Sequence, residues 1–279
     1  MTLAELIART EKRFKAARLH YGHGTDNAHD EAAFLVLRGL GFGFNQDLGR
    51  SISPLQARKV DSLVEKRIDQ RIPAAYLLKE AWLGGERFYV DRRVIIPRSH
   101  IAFMLKNLPA PKTALDLCTG SGCLAVLAAR AFPRARVTAS DLSADALAVA
   151  RRNVGRRIRL VQSDLFDKVK GSFDLIVTNP PYVTTRSMRR LPAEYRYEPG
   201  LALAAGSDGL DIVRRILAEA PARLNPGGRL ICEVGDGRKA VERAFPRLPL
   251  TWPRDEVFVL EAPKKVGAPQ TRARRARAS

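Results

Sequence analysis

Cysteine is scarce in this chain: Cys118, Cys123 and Cys232 are three among 279 residues, and they show no close-spaced metal pattern. That excludes a disulfide framework and points to a reducing compartment, with the cytoplasm as the default location. Histidine is rarer for its chemistry, with four in all. His20 and His23 flank Tyr21-Gly22, but no carboxylate or cysteine pattern stands beside them, so no metal site is expected. Long apolar runs are missing too. None approaches the roughly 18 residues a membrane span requires, so no membrane partner is expected. The first segment carries Glu5, Arg9, Glu11, Lys12 and Arg13 among its apolar residues, which removes a signal-peptide core. Negative charge is short, 29 acidic against 48 basic residues, for a net charge of +19. The excess gathers at Arg151-Arg152, Arg156-Arg157 and Arg159, at Arg186 and Arg189-Arg190, and from Lys264 to Arg277. Such a field favours polyanions, so non-specific, salt-sensitive RNA contact through these patches is expected.

What is present is an apolar share of 46%, enough for a large core, arranged in two periodicities. Residues 1–78 read as a small helical domain, with Leu3, Leu6, Ile7 and Phe14 at helical spacing. A second helix covers Glu31 to Leu40, and a third opens at Ser53-Pro54-Leu55-Gln56, a capping box with proline at the first turn. Leu55, Val60, Leu63, Val64 and Ile68 are its expected buried stripe. Residues 79–96 alternate as a linking β-hairpin, and Pro97-Arg98-Ser99 opens a helix through Leu105. Residues 97–265 alternate strand and helix: strands at Ala114–Cys118, Val137–Asp141, Ile158–Gln162, Phe173–Thr178 and Leu230–Val234, then two closing strands near Leu250–Trp252 and Val257–Glu261. The fold class is α/β, a seven-stranded sheet with an antiparallel end. Residues 266–279 lack apolar content and read as a basic disordered tail.

Each of the first four of these strands ends in a group suited to a ligand. The first runs into Thr119-Gly120-Ser121-Gly122, where glycines let backbone approach a ligand and the next helix offers free N–H groups. The loop lacks the third glycine of a dinucleotide fingerprint and the lysine of a P-loop. Asp141 closes the second strand, about 25 residues past Asp116, where a carboxylate commonly takes ribose hydroxyls. Ser163-Asp164-Leu165-Phe166 closes the third, with an acid and two apolar groups placed to bracket an adenine. The fourth delivers Asn179-Pro180-Pro181-Tyr182. Two prolines cannot extend a strand, so the chain leaves the sheet rigidly with an amide and an aromatic ring at its carboxyl end. A nucleoside site without a phosphate-binding lysine points to S-adenosylmethionine as cofactor.

Asp116-x-x-x-Gly120-x-Gly122 together with Asn179-Pro180-Pro181-Tyr182 resembles the Rossmann-like methyltransferases that alkylate an amino group conjugated to a π system. Val94-Ile95-Ile96-Pro97-Arg98, a helical N-terminal part and a hairpin narrow the likeness to the protein-glutamine N5-methyltransferase family, over residues 1 to about 265. Pro97-Arg98-Ser99, Asp116 to Cys123, and Glu194-Tyr195-Arg196-Tyr197-Glu198-Pro199 are similar to the branch that modifies protein L-three of the large ribosomal subunit; His100 stands where that branch generally has proline. The resemblance implies that Asn179 Oδ1 and the Pro180 carbonyl accept the acceptor's two N–H bonds, and that Pro181 and Tyr182 complete the catalytic turn, Tyr182 packing on the planar acceptor. It further implies that Asp116, Cys118, Thr119, Gly120, Ser121, Gly122, Asp141, Asp164, Leu165 and Asn179 bind the cofactor, and that residues 1–78 recognise the substrate.

Two other acceptors fit the same turn: a glutamine of a peptide chain release factor, and adenine or guanine in nucleic acid. Against the nucleobase stand an aromatic content of 7% and an N-terminal segment with no recognisable nucleic-acid motif. A vestigial site in an RNA-associated assembly factor is a third reading.

Overall fold

Four helices open the chain of the computed structural model, which describes residues 1–264. They are α1 (Leu3–Ala16), α2 (Ala28–Gly39), α3 (Pro54–Asp69) and α4 (Ala74–Leu78). Side-chain caps start the first three: Thr2 and Ser53 each form a full capping box, with Glu5 and Gln56, and Asn27 caps α2. Their apolar faces meet in one core built from Leu6, Phe14, Leu35, Val60 and Val64. Leu55 is not part of it, at 72% exposure. The inward face of α3 runs Ala57, Val60, Val64, Arg67, and Leu55 lies two residues, about 200° of helical turn, away from Ala57. The tail expected beyond residue 265 lies outside the described residues.

The hairpin is shorter than its alternation predicts. Strands β1 (Ala81–Leu83) and β2 (Glu86–Phe88) pair across Gly84-Gly85, both left-handed. Beyond them residues 89–96 form no ladder, although Val90, Val94 and Ile96 are buried in the helical core. Their alternation reflects packing on one side only. The helix expected from Pro97 begins at α5 (Ile101–Met104), because residues 97–99 are held in an irregular course by side chains described below.

Next come β3 (Thr113–Leu117), α6 (Cys123–Ala131), β4 (Arg136–Asp141), α7 (Ala144–Asn153), β5 (Ile158–Gln162) and β6 (Phe173–Thr178). They are followed by α8 (Thr185–Met188), α9 (Asp211–Arg223), β7 (Leu224–Glu233), α10 (Arg238–Ala244), β8 (Thr251–Arg254) and β9 (Val257–Glu261). The seven strands β3–β9 form one sheet in the order β5-β4-β3-β6-β7-β9-β8, parallel except for β9, which runs antiparallel to both neighbours. This is the Rossmann-like arrangement expected from the sequence. Strand β7 starts at Leu224, ahead of the expected Leu230, so Asn225-Pro226-Gly227-Gly228 is the irregular opening of the strand. A Cβ at Gly228 would stand 2.8 Å from the Phe173 carbonyl, which explains the glycine there. Along β3 alternate residues feed two cores: Ala114 faces α5 and α6, while Leu115 and Leu117 face α9 and α10.

Helix α7 contributes Ala146 and Val149 to the N-terminal core, so the helical segment packs against the sheet layer. A buried charge fastens the same junction. Arg67 is fully buried, donating to Glu31 at 2.5 Å, to Glu194 at 3.2 Å and to the His20 carbonyl at 2.8 Å. Removing it would strand two buried carboxylates. Arg67→Ala is expected to cost about 3–5 kcal/mol of stability, and urea unfolding of the two proteins measures the difference; a loss below about 1 kcal/mol would mean that the triad contributes no more than a surface pair.

Candidate functional site

Strands β4, β3 and β6 run side by side in matched register, Leu117 standing opposite both Ser140 and Thr178. They therefore stop together, and the chain leaves each of them on one edge of the sheet. The order of strands reverses between β3 and β6, where open α/β sheets bind ligands. A cavity at this edge is lined by Cys118, Thr119, Gly120, Ser121, Asp141, Ser163, Asp164, Leu165, Asn179 and Pro181. Asp116 reaches it from within β3. Of the residues singled out in the sequence, Gly122, Pro180 and Tyr182 do not line the cavity itself.

The glycine loop turns through left-handed conformations at Cys118 (φ 60°), Gly120 (φ 54°) and Gly122 (φ 83°). A Cβ on Gly120 would meet nothing within 4 Å, so that edge of the loop opens on free space. At Gly122 a Cβ would come within 2.9 Å of Val154; this glycine serves the packing of α7 against the loop. Asp141 fixes the loop from the next strand, its Oδ2 accepting from Gly120 N at 2.8 Å and its Oδ1 from Ser143 N at 2.9 Å. Each oxygen retains a second lone pair, the capacity two ribose hydroxyls require.

Asp116 is 1% exposed. Its Oδ2 accepts from Thr119 Oγ1 at 2.5 Å and from Ala125 N at 2.9 Å, while Oδ1 is buried with no partner. Burial pushes the carboxyl up to about 7, against the opposing pull of those two hydrogen bonds. Burial likewise raises the Cys118 thiol, and that of Cys123 to about 12, so neither is a reactive thiolate. Asp164 pairs with Arg215 at 2.9 Å, and Leu165 (φ 44°) turns the chain into the cavity wall. Phe166, expected beside Leu165 as half of an adenine bracket, is instead fully buried under α9 and touches the core. Leu142, 49% exposed, lines the cavity just after Asp141. An exposed leucine after an acid carries no signal in the sequence.

Asn179 donates from Nδ2 to the Arg98 carbonyl at 3.0 Å, which leaves Oδ1 as the end available to accept. Pro180 is buried beneath the turn. The Tyr182 ring lies against Gly235, where a Cβ would come within 2.7 Å of Cε2; burial first, and then the Glu233 charge, push its hydroxyl up to about 12. Arg98 reaches Glu198 through two bonds of 2.6 Å, and Ile96 N donates to the same carboxylate at 3.0 Å. Burial works against the Arg98 charge, but the Glu198 hydrogen bonds and charge outweigh it and hold the guanidinium above its ordinary pKa. On the other side Glu233 accepts from Ser99 Oγ at 2.5 Å and His100 N at 3.0 Å.

The residues present fit a nucleoside with a cationic end. Three carboxylates and no lysine line the cavity, one of its two arginines is neutralised by Glu198, and the unpartnered Asp116 Oδ1 sits beneath the glycine loop. Among the described residues no group of three or more His, Cys, Asp and Glu side chains is placed to hold a metal.

Residues 100–193 match the methyltransferase small domain family. The chain is 50% identical over 268 residues to the ribosomal protein uL3 glutamine methyltransferase of Bordetella pertussis, covering 90% of each chain. It is 46% identical over 267 residues to the protein of the same name from Neisseria meningitidis serogroup B, covering 90% of this chain and 88% of that one. Among solved structures, a ribosomal protein L11 methylase from Lactobacillus delbrueckii subsp. bulgaricus aligns with a TM-score of 0.41 at 22% identity, over 60% of this chain and 80% of that one.

The buried Asp116 carboxyl makes a pH prediction. Its pKa is about 7 in the folded chain and ordinary in the unfolded one, so between those values the folded state holds the proton more tightly. Its contribution to stability is therefore present at low pH and is lost as pH rises toward about 7. Asp116→Asn keeps an acceptor for Thr119 and Ala125 and cannot ionise. The ligand-free variant is expected to gain on the wild type as pH rises from about 5 to about 8, by an amount on the order of a few kcal/mol. Paired thermal melts across that range test this, and a constant difference between the two proteins refutes it.

Proposed function

Because this chain belongs to the ribosomal protein uL3 glutamine methyltransferase family, we propose that it transfers a methyl group to the side-chain amide nitrogen of one glutamine on protein uL3 of the large ribosomal subunit. It is a methyltransferase of Rossmann-like fold that uses S-adenosylmethionine. When bound, that cofactor supplies an electrophilic methyl on a sulfonium. Asp141 would take the ribose hydroxyls, Leu142 and Leu165 would flank the adenine, and Asp116 and Thr119–Ser121 would face the positively charged end.

A single contact carries the assignment: Asn179 Nδ2 is engaged by the Arg98 carbonyl, which turns Oδ1 toward an acceptor. A glutamine amide nitrogen is a poor nucleophile because its lone pair is delocalised into the carbonyl. Asn179 Oδ1 and the Pro180 carbonyl accept its two N–H bonds and aim the nitrogen at the methyl. With the methyl donor bound, the two fixed carbonyl dipoles would stabilise the positive charge that grows on the amide nitrogen during transfer. Alignment of the reacting atoms can supply about 7–11 kcal/mol of barrier lowering. No strong base is required, because the alkylated nitrogen is acidic and gives its proton to water. One side of the Tyr182 ring rests on Gly235; the other packs on the planar acceptor amide.

Residues 1–78 and the hairpin form the surface that recognises uL3, and residues 97–265 carry the chemistry. Arg151, Arg152, Arg156, Arg157 and Arg159 are exposed, as are Arg186, Arg189 and Arg190. These clusters contact ribosomal RNA when uL3 is presented on an assembly intermediate in the cytoplasm, an association that weakens steeply with salt. Among the described residues no helix is long and apolar enough to cross a membrane.

Asn179→Ala is expected to lower turnover about 10²–10³-fold. Transfer of labelled methyl to purified uL3, with mass spectrometry locating a single methyl on one glutamine, measures it. Label recovered in a release factor or in RNA, with none in uL3, would move the reading to one of the other acceptors.

A further inference from the structure

We propose that Glu198 and Glu233 are positioning residues for methyl transfer, two buried carboxylates that clamp Ile96–His100 so that the Arg98 carbonyl orients the Asn179 amide. The inference rests on the function proposed above and names what holds its acceptor site in shape.

An asparagine side chain presents two ends of nearly equal shape and opposite polarity. Only Oδ1 can accept from an acceptor N–H; the flipped amide would set donor against donor. Arg98 O is a pure acceptor and fixes the choice, provided the carbonyl itself is fixed. Nothing regular fixes it, because residues 96–100 belong to no ladder and precede α5. Two side chains do so from either side. Glu198 takes Ile96 N at 3.0 Å and both terminal nitrogens of Arg98 at 2.6 Å. Glu233 takes Ser99 Oγ at 2.5 Å and His100 N at 3.0 Å, both on Oε2. The residue between them is Arg98, whose carbonyl meets Asn179.

The placement favours a role in the site over one in the core alone. Glu233 ends β7 one residue after the Thr178↔Cys232 pair, so it lies beside the point where Asn179 leaves β6. No cation pairs with it among the described salt bridges, and burial raises its pKa. A buried carboxylate held by a hydroxyl and backbone N–H groups, with no salt-bridge partner, is an expensive way to stabilise a fold. Its bonds go to the segment that aims the catalytic amide.

The bond pattern makes the two glutamates behave differently. Both Glu233 bonds fall on one oxygen, so Glu233→Gln can keep them and Glu233→Ala cannot. Glu198 uses both oxygens against Arg98, so Glu198→Gln turns an amide donor onto a guanidinium. The first readout needs no substrate: solvent exchange of the Asn179 side-chain amide protons by NMR, the signal being identified by its loss in Asn179→Ala. Exchange is expected to accelerate at least about ten-fold in Glu198→Gln and Glu233→Ala and to stay near wild type in Glu233→Gln, with the backbone spectrum of β3–β6 unchanged. Unchanged exchange in both disruptive variants overturns the proposal. The second readout is turnover on uL3. Both disruptive variants should lose about 10–10²-fold in kcat, with KM for uL3 held and Glu233→Gln restoring it. Placed on Asn179→Ala, either change should cost less than about two-fold more, because its effect passes through Asn179; fully additive losses overturn it. If wild-type protein methylates no uL3, the substrate assignment falls, and amide exchange alone decides the clamp.

Discussion

Everything at the site depends on the parallel pairing of β3 with β6. Asp116 stands opposite Val177 and Leu117 opposite Thr178, and the Thr178 hydroxyl donates to the Leu117 carbonyl at 2.7 Å to close the pair. The glycine loop and Asn179 therefore leave the sheet as immediate neighbours. A slip of one residue would turn Asn179 to the opposite face and bury it under a helix layer. The alternation of Ala114 toward one core and Leu115 toward the other resists that slip, since each core has room for one phase only. Placing the glycine loop beside Asn179 is thus a consequence of core packing.

The polar groups then divide by whether a cation answers them. Glu31 and Glu194 share Arg67, and Glu198 holds Arg98; these pairs fasten pieces of chain a hundred or more residues apart in two of the three cases. Asp116 and Glu233 have no such partner, and burial raises both, as it raises Glu31 despite Arg67. Both unanswered acids lie at strands flanking the cavity, and both bond to the irregular segments that surround it. Charge compensation thus falls at the joints between distant segments, and the acids without a cation fall at the strand ends around the cavity.

Most of the architecture could be read from local pattern. Caps at Ser53 and the strand runs ending at Asp141 and Asn179 follow from rules that act within a few residues, and so does the rigid exit at Pro180-Pro181. What escaped was decided at a distance. Arg67 looks like one more basic residue on α3, because its partner Glu194 is 127 positions away. Residues 89–96 alternate as a strand would, yet their apolar members pack on the helices without a ladder. Phe166 leaves its expected place beside Leu165 for a simple reason: the turn at Leu165, with φ at 44°, drives the following ring inward, while Leu142, for which the sequence gives no expectation, stands at the rim. Neither turn can be seen in composition.

The short 3₁₀ turn Ala193–Tyr197 is held at its opening by Glu194, which takes His20 N and Arg67, and just past its close by Glu198, which takes Ile96 N and Arg98. Tyr195 stands between, its ring 4.4 Å from that of His23 and 5.4 Å from the Arg98 guanidinium. Modular exchange between relatives is constrained accordingly. A helical cap transplanted from another member of the family would have to bring its own matches for Glu194 and Tyr195, or import this turn along with it. The seam along which evolution or an engineer could recombine the chain therefore runs through the Ala193–Tyr197 turn, well away from the linker that sequence length alone would suggest.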